Sequence, residues 1–418
     1  MSPQPHEYPA LTVTTAALDA VGPLLKLLDP SEPLLFVRRG EGIAGIGEAL
    51  RLEFTGPNRM TDAAAAWREL VARANVTDPV ALPGSGLVAL GSFAFSEHSK
   101  ATSVLIVPAI VVGKRNGVGW ITRIATTTGT TLAAPAPLPE ITPLGPEYRI
   151  SLVPGEMTAD AFTAAVDAAI ARIRSGVVSK VVLARDLVGR LPEGADLRRV
   201  LIDLALGYPD TYTFAVNGFI GSSPETLVRV DHGSVSARVL AGSIGRGGDA
   251  DADHDLAVSL ATSEKDLDEH AYALASVVSA LQPHSSKLTK SEIPFTLKLP
   301  NLWHLASDVE GTLSDGSSSL DLIAALHPTA AVAGTPTDAA LEIIRELEPF
   351  DRGRYAGPVG WVGANGDGEW AVALRSAHVS STGRITAYAG AGIVDGSDAA
   401  RELAETKMKF RPIVEAFG

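Results

Sequence analysis

The chain contains no cysteine and has a deficit of positive charge. The missing cysteine excludes a disulfide framework, a thiolate nucleophile and a cysteine metal site. There are 35 lysines and arginines against 48 aspartates and glutamates, which gives a formal net charge of −13 at pH 7. This balance argues against a nucleic-acid-binding surface. An anionic substrate would therefore need a locally positive site.

Signals for membranes are also missing. The first ten residues, MSPQPHEYPA, have neither the basic region nor the apolar region of a signal peptide. The most apolar run, Val104–Val112, is interrupted by Pro108 and is too short to span a bilayer. We therefore expect a soluble, cytoplasmic protein with no membrane partner.

The length and composition predict a large folded molecule. The chain has 418 residues, of which 46% are hydrophobic, so it can bury a substantial core. Residues 126–147 are rich in proline, threonine and alanine and are predicted to be a connector. We divide the chain into an N-terminal α/β portion, residues 1–146, and a catalytic region, residues 147–418.

Hydrophobic periodicity predicts groups of neighbouring strands followed by helices. This order favours an α+β fold with antiparallel sheets over a repeated βαβ unit. The predicted strands are Leu34–Arg38, Leu87–Phe95, Val104–Val112, Val177–Val188, Tyr212–Ile220, Thr226–Val230 and Ser234–Ala241, and the predicted helices are Asp62–Ala74, Thr158–Ser175, 196–207 and Glu264–Leu281.

The stretch Tyr388–Lys409 is predicted to be a strand that turns into a helix capped by Ser397. On that helix Glu402, Glu405 and Lys409 are spaced three and four residues apart, so their side chains share a face. Two carboxylates one turn apart suit a hard cation such as Mg²⁺, and the lysine could hold an anion beside it. A solvated face with a Glu–Lys pair is the alternative that this helix leaves open.

Two other ionisable residues lie beside apolar strands. Lys180, in VVSKVVLARDLV, is either a gatekeeper on an edge strand or a buried, desolvated amine. Glu225, after GSSP, either faces water in a turn or is a general acid whose pKa is raised by burial. Neither segment decides between its alternatives.

The second half of the chain carries further polar residues beside apolar segments. Asp266 and Glu269 share a face of the predicted helix Glu264–Leu281 and offer a second pair of carboxylates. Arg375 lies on an alternating strand, where an inward arginine requires an anionic ligand or a buried partner. Three histidines are interpreted as packed side chains: His270, His304 and His327.

Taken together, these segments resemble the chorismate-utilising enzyme family. The similarity covers about residues 150–418 and is weak before them. The segments that carry it occur in order: SKVVLARD (179–186), GSSPETLVRV (221–230), LAGSIGRG (240–247), SEKDLDEH (263–270), LWHLASDVEGTL (302–313), LHPTAAVAGTP (326–336), EPFDRGRYAGPVGWVG (348–363), GEWAVALRSA (368–377) and YAGAGIVDGSDAARELAETKMK (388–409).

The resemblance implies a chorismate-binding fold, in which helices surround large antiparallel β-sheets that enclose the active site, with Mg²⁺ as the cofactor. Lys180 would be the base that activates water, and Glu225 would be the acid. The metal residues that it implies are Glu269 and Glu405 as direct ligands and Asp266 and Glu402 as holders of metal-bound water. The substrate-binding residues that it implies are Ser243, His304, Thr329, Ala331, Tyr355, Arg375, Gly392 and Lys409.

The resemblance also implies which nucleophile is used. Ammonia-using relatives usually carry glutamine at the position of Lys180, and one type carries lysine at the position of Ala241. Lysine at 180 with alanine at 241 indicates water as nucleophile and no glutamine amidotransferase subunit. We thus expect chorismate to be converted reversibly to isochorismate, for menaquinone or catechol-siderophore biosynthesis, by a monomer.

Two alternatives stay open at this point. Salicylate-forming relatives tend to carry threonine at the position of Ala331, so alanine favours release of isochorismate over a second step that eliminates pyruvate. A non-catalytic binding protein that kept the fold is disfavoured, because every expected acid, base and metal ligand is present.

Overall fold

The structure is a computed structural model that describes residues 8–128, 131–132 and 141–418. The strands are β1 (Ala10–Leu18), β2 (Leu34–Arg38), β3 (Glu41–Ile46), β4 (Leu50–Phe54), β5 (Asn75–Thr77), β6 (Val88–Ser92), β7 (Ser103–Val107), β8 (Ile110–Arg115), β9 (Val118–Thr128), β10 (Thr131–Leu132), β11 (Val153–Pro154), β12 (Lys180–Arg190), β13 (Tyr212–Val216), β14 (Phe219–Ser223), β15 (Thr226–Asp231), β16 (Ser234–Gly245), β17 (Ser285–Lys290), β18 (Phe295–Lys298), β19 (Leu302–Leu313), β20 (Gly334–Thr335), β21 (Pro358–Gly363), β22 (Gly368–Val372), β23 (Ser376–Val379) and β24 (Arg384–Ile393). The α-helices are α1 (Arg59–Ala72), α2 (Ala159–Arg174), α3 (Leu197–Gly207), α4 (Ala250–Thr262), α5 (Glu264–Leu281), α6 (Ser319–Leu326), α7 (Thr337–Leu347) and α8 (Ala399–Phe417). Short 3₁₀ turns cover Leu24–Leu27 and Gln282–His284.

The strands form two sheets. The larger has the order β11-β12-β24-β23-β14-β13-β2-β3-β8-β9-β1-β5, with β10 beside β9 and β20 beside β12. The smaller has the order β17-β19-β16-β15-β22-β21-β6-β7-β4, with β18 beside β19. The pairings nearest the site are antiparallel, whereas β1 and β5 pair in parallel. This architecture confirms the predicted α+β class.

Two neighbouring crossovers carry the chain from one sheet to the other. Between β14 and β15 the chain passes through Pro224 and Glu225, and between β22 and β23 it passes through Arg375. Because β14 pairs with β23 and β15 pairs with β22, the crossovers run side by side. The amide of Ser222 donates to the carbonyl of Arg375 at 3.1 Å, and the amide of Val372 donates to the carbonyl of Glu225 at 3.2 Å. The fold thereby places an acid and an arginine at one junction.

Strands from both predicted portions of the chain share these sheets. In the larger sheet β2 pairs with β13, and in the smaller sheet β6 pairs with β21. The division into residues 1–146 and 147–418 stays a prediction. The predicted connector, 126–147, falls partly outside the described residues.

Turn chemistry explains two strand predictions that were wrong. The predicted strand Tyr212–Ile220 is a hairpin of β13 and β14, turning at Asn217 and Gly218, which have φ angles of 52° and 73°. The predicted strand Val104–Val112 is divided into β7 and β8, which lie in different sheets on either side of Pro108. Proline has no N–H to donate to a ladder, so the strand ends there.

The predicted helices are largely confirmed. Helix α5 has the predicted bounds, and Ser263 caps it by accepting from the amide of Asp266 at 3.3 Å. Ser397 was the wrong N-cap for α8, because Asp398 accepts from the amide of Arg401 at 2.9 Å. Among the described residues, no helix is long and apolar enough to cross a membrane.

The apolar core has two parts. One cluster joins residues of both sheets and includes the fully buried Trp120 and Trp370. The other packs α3 and α8 against the larger sheet, through residues such as Leu201 and Phe410. Helix α8 is therefore fixed by its apolar face, which leaves its acidic face turned toward α5 and the end of β24.

Candidate active site

A narrow cavity of about 40 Å³ lies where the two crossovers meet the ends of β12, β16 and β24. The predicted site residues that line it are Glu225, Ser243, Glu269, His304, Ala331, Tyr355, Arg375, Gly392 and Lys409. The predicted residues outside its lining are Lys180, Asp266, Thr329, Glu402 and Glu405.

Glu225 is buried in the wall of this cavity, with 4% of its surface exposed. Burial raises the pKa of its carboxyl to about 7, against the opposing positive charges of Lys180, Arg375 and Lys409. The interpretation of Glu225 as a turn residue facing water is therefore wrong. A carboxyl that holds its proton near neutrality has the property that a general acid requires.

Lys180 begins β12 and is fully buried. It pairs with Thr335 of β20 inside the larger sheet, so the edge-strand interpretation is wrong. Its Nζ lies 3.2 Å from Oε1 of Glu269 but has no partner in hydrogen-bond geometry among the described residues. A buried amine without a full set of acceptors is available to a small polar ligand or to water.

Arg375 and His304 are bonded to each other in the wall of the cavity. Nη2 of Arg375 donates to Nε2 of His304 at 2.9 Å, and Nδ1 of His304 lies 2.9 Å from Oγ of Ser243 and 3.2 Å from the carbonyl of Gly242. Burial, followed by the charge of Arg375, keeps the pKa of His304 well below its ordinary value. The imidazole is therefore neutral and leaves the charge of Arg375 uncompensated. Because His304 lines the cavity, its interpretation as an ordinary packed histidine is wrong.

The other two histidines are packed side chains, as predicted. His270 contacts the carbonyl of Ala241 at 3.2 Å and the hydroxyl of Ser307 at 2.8 Å. His327 lies 2.8 Å from the carbonyl of Phe95, and burial lowers the pKa of its imidazole to about 3. Neither ring lines the cavity.

Two further groups give the cavity its polar wall. Tyr355 is buried and stacks on Tyr388 with 5.2 Å between ring centroids, and burial raises the pKa of its hydroxyl to about 12. Nζ of Lys409 donates to the carbonyl of Gly390 at 3.0 Å. The lysine on α8 is thereby aimed at the end of β24, next to Gly392.

The four predicted metal carboxylates lie on α5 and α8, and three of them are each paired with a lysine. Glu269 is 3.2 Å from Lys180, Glu405 is 2.5 Å from Lys409, and Glu402 is 2.9 Å from Lys265. The side chain of Glu402 is only 2% exposed, and those of Glu405 and Lys409 are 14% exposed. The solvated-face interpretation of α8 is therefore wrong.

The carboxylates fit a hard cation by their chemistry. They supply only oxygen donors, the ligands that Mg²⁺ prefers. Burial, followed by repulsion from Glu405, raises the pKa of Glu402 to about 7 in spite of Lys265. Burial also raises the pKa of Asp266, with Glu269 and Glu405 adding to the rise. Added positive charge would relieve this repulsion, so the donor set suits a divalent ion.

Another group of possible metal ligands lies away from the cavity. Within the described part of the chain, the ligand atoms of Asp231, His232 and Asp367 lie within 4.8 Å of one another, and no three of the predicted metal carboxylates meet that criterion. These three residues already have protein partners: Arg229 for Asp231, at 2.7 Å, Asp231 for the ring of His232, at 2.8 Å, and the amide of His232 for Asp367, at 2.8 Å. We assign no metal to them.

Thr329 and Ala331 belong to the loop between α6 and β20. Ala331 lines the cavity, whereas Thr329 is buried behind it with a hydroxyl that has no partner among the described residues. The roles assigned to both residues stay predictions.

Sequence reasoning missed one charged residue of the cavity wall. Arg352 lines the cavity and pairs with Glu348 through two bonds, of 2.8 Å and 2.5 Å. Glu348 and Arg352 are spaced i,i+4 in the segment EPFDRGR. A polar pair at this spacing is more often a surface ion pair, so the signal was present but ambiguous.

Glu225→Gln should flatten the pH dependence of stability. The raised folded pKa means that the stabilisation from the protonated carboxyl is complete below about pH 4.5 and is lost as pH rises through about 7. The loss is on the order of 3 kcal/mol, for a shift of roughly 2.5 units at 1.36 kcal/mol each. Urea unfolding at about pH 5 and pH 8 should show this fall in the parent and in an exposed control, Glu193→Gln, but not in Glu225→Gln. An equal fall in all three proteins would contradict the assignment.

Gly392→Ala should disturb the carboxylates directly. An added Cβ at Gly392 would lie 2.1 Å from Oε1 of Glu269 and 3.1 Å from Cε of Lys180, so both buried side chains would have to move. We expect a loss of about 1–3 kcal/mol in the free energy of unfolding. Gly396→Ala is the control, because its Cβ would meet Lys265 at an ordinary 3.7 Å. Equal unfolding midpoints for the two variants would refute the close approach.

Comparison with known proteins identifies the family to which this chain is similar. The family model for chorismate-binding enzymes matches residues 6–418. The isochorismate synthase DhbC of Bacillus subtilis is 41% identical over 286 residues, which are 66% of this chain and 71% of that protein. The isochorismate synthase MenF of the same organism is 36% identical over 268 residues, 63% of this chain and 56% of that protein.

Solved structures share the fold. The structure described as a 2,3-dihydroxybenzoate-specific isochorismate synthase, DhbC from Bacillus anthracis, is 31% identical with a TM-score of 0.77, and the match covers 94% of this chain and 98% of that one. Anthranilate synthase component I from Streptococcus pneumoniae, 21% identical with a TM-score of 0.70 and coverage of 90% and 92%, supports the fold alone. Because the family model matches nearly the whole chain, this protein is an enzyme of the chorismate-binding family.

Proposed function

We propose that this enzyme is an isochorismate synthase, which adds water at C2 of chorismate while the C4 hydroxyl leaves and the ring double bonds shift. One observation carries the proposal. A buried glutamate whose pKa is about 7, Glu225, lines the cavity, and the Nζ of a fully buried lysine, Lys180, lies 3.2 Å from Oε1 of Glu269, another residue of that lining. The reaction needs one group to accept a proton from water and one to give a proton to the departing hydroxyl.

Lys180 is the proposed base and Glu225 the proposed acid. In its neutral form Lys180 takes a proton from the attacking water, and its burial excludes bulk water that would compete. Glu225 is protonated below about pH 7 and donates to the C4 hydroxyl, which leaves as water. Each transfer contributes about 10²–10⁴-fold to the rate. Run backward, the same two groups exchange roles, so the conversion is reversible.

The substrate carboxylates are proposed to contact the positive wall of the cavity. Arg375 faces a neutral imidazole, so its charge remains for an anion. Lys409, the hydroxyl of Tyr355 and the backbone at Gly392 supply further donors, and Ser243 and His304 hold Arg375 from below. These groups give a protein of net charge −13 the local positive potential that a dianion requires.

Mg²⁺ is the proposed cofactor. Glu269 and Glu405 would be its direct ligands, and Asp266 and Glu402 would hold its waters. When bound, the ion would supply positive charge for the ring carboxylate of chorismate. Lys180 and Lys409 would then no longer be the main counter-charges of Glu269 and Glu405, which leaves them for water and for substrate.

Water, not ammonia, is the proposed nucleophile, so no glutamine amidotransferase subunit is required. The choice of water rests on Lys180 and Ala241. Ammonia-using relatives usually carry glutamine at the position of Lys180, and one type carries lysine at the position of Ala241. We also propose a cytoplasmic monomer whose product feeds menaquinone or catechol-siderophore biosynthesis. Relatives named for each pathway are similar to this chain: MenF of Escherichia coli is described as menaquinone-specific, and DhbC of Bacillus anthracis as 2,3-dihydroxybenzoate-specific.

The product assay tests this function. Purified enzyme with chorismate and Mg²⁺ should give isochorismate and residual chorismate on chromatography, and a lactate dehydrogenase-coupled assay should detect no stoichiometric pyruvate. The reason is Ala331, which lines the cavity without a hydroxyl to hold the enolpyruvyl arm for elimination. Lys180→Ala is the control and should form no isochorismate. Rapid pyruvate release with salicylate fluorescence would identify a salicylate synthase instead.

Magnesium titrations test the carboxylates. Glu402→Ala should raise the Mg²⁺ concentration for half-maximal activity by about 10-fold, as for loss of an outer-shell partner, and Glu269→Ala or Glu405→Ala should raise it more. Glu415→Ala is the control, because Glu415 is exposed on the same helix and pairs with Arg411. Should all four titration curves coincide with that of the parent, the metal site lies elsewhere.

A further inference from the structure

The guanidinium of Arg352 binds four oxygen atoms from three parts of the chain. Its Nε and Nη2 donate to the two carboxylate oxygens of Glu348, at 2.8 Å and 2.5 Å. Nη1 donates to the carbonyl of Val332 at 2.9 Å, and Nη2 donates to the carbonyl of Val182 at 2.8 Å. Glu348 in turn accepts from the amide of Ala184 at 2.7 Å. The pair is thus a bidentate fork bonded to two backbone segments.

These segments carry the proposed catalytic parts. Val182 is two residues from Lys180 on β12, so both side chains point to the same face of the strand. Val332 follows Ala331 in the loop that lines the cavity. The carbonyl of Arg352 itself accepts from the amide of Tyr355 at 3.0 Å. The side chain of Arg352 therefore ties the strand of the base to the loop at Ala331, and its backbone carbonyl bonds the turn at Tyr355.

Both side chains of the pair are largely buried. Arg352 is 3% exposed, and its guanidinium lies 4.5 Å from the ring centroid of Phe95. Glu348 is also buried, at 7%. Removal of either charge leaves the other without its partner and frees both backbone segments.

Glu348 and Arg352 differ in whether they reach the active-site cavity. Arg352 lines the cavity, whereas Glu348 does not. On the other side, both residues line a second, open cleft together with Phe95 and His327. A small cation in solution can therefore reach the position of the guanidinium without passing through the active-site cavity.

We propose that Arg352, oriented by Glu348, is a positioning residue that sets the geometry of Lys180 against the substrate. This inference rests on the proposed function, because it assigns the fork to the water-addition step. The fork acts through the backbone at Val182 and Val332 and does not contact the reacting atoms. Its loss changes the rate of the chemical step more than the binding of chorismate.

Steady-state kinetics of matched variants test the proposal. Arg352→Met and Glu348→Gln should each lower kcat by about 10²-fold, the cost of a misplacement of roughly 1 Å, with KM for chorismate changed by less than about 3-fold. The control is Arg354→Met. Arg354 is a buried arginine of the same turn whose Nε and Nη1 donate to the carbonyls of Thr102 and Asn217, and it does not line the cavity. It should lose stability but keep kcat.

Three results would overturn the proposal. If Arg352→Met raised KM without changing kcat, and Glu348→Gln kept the parental kinetic constants, the guanidinium would bind substrate directly. Parental kcat in folded Arg352→Met would mean that the fork is not needed for geometry. Equal loss of kcat in Arg354→Met would mean that the effect follows general destabilisation.

Chemical rescue keeps the test decisive if the methionine variant folds poorly. Guanidinium added at millimolar concentration to Arg352→Ala should restore part of kcat, because the open cleft admits the ion beside Glu348. It should restore nothing in Arg352→Ala/Glu348→Gln, which lacks the carboxylate that orients it, and the absence of any rescue in Arg352→Ala would refute the proposal. The parent assay reports separately on the proposed function, since variant-to-parent ratios can be measured for whatever product the parent forms.

Discussion

The ionised groups around the cavity are buried, so each charge has to be balanced by another side chain or by a ligand. Glu269, Glu402 and Glu405 are balanced by lysines, at 2.5–3.2 Å. Arg375 differs, because its contact is a neutral imidazole. The positive charge of Arg375 therefore lies where the proposed function requires a substrate carboxylate. Burial keeps Glu225 protonated up to about pH 7, so this acid carries no full charge that needs balancing.

The junction of the two sheets supplies the geometry for this balance. Within one sheet, successive side chains of a strand point to opposite faces. An acid and an arginine on adjacent strands would therefore be restricted to the positions that this alternation allows. The crossovers through Glu225 and Arg375 leave that pattern, and Arg375 has a φ of 49°, a conformation rare for a residue with a side chain. The rigid strands on both sides hold the two crossovers in place, as the cross-bonds of Ser222 and Val372 show.

Local sequence patterns were sufficient for the fold class and for helices such as α5, whose apolar spacing and Ser263 cap agree. They were insufficient where tertiary burial decides the outcome. Lys180 and Glu225 each allowed two interpretations, and only the packing of whole sheets around them removed the solvent-facing one. The dipeptide Asn217-Gly218 is a hairpin-turn signal, but one continuous strand was predicted across it. Arg352 was missed because its i,i+4 pair with Glu348 has the spacing of a surface ion pair, and because its backbone partners, at Val182 and Val332, lie far away in the sequence.

The pairing of β2 with β13 and of β6 with β21 has a consequence for how the molecule is made. During synthesis, β2 and β6 must wait, each with one open edge, for partners that are translated much later. Lys409, which completes the proposed site, lies in α8 and follows every strand. On the proposed function, the site is therefore incomplete until Lys409 has left the ribosome, and activity begins only after the late strands of both sheets are available to pair.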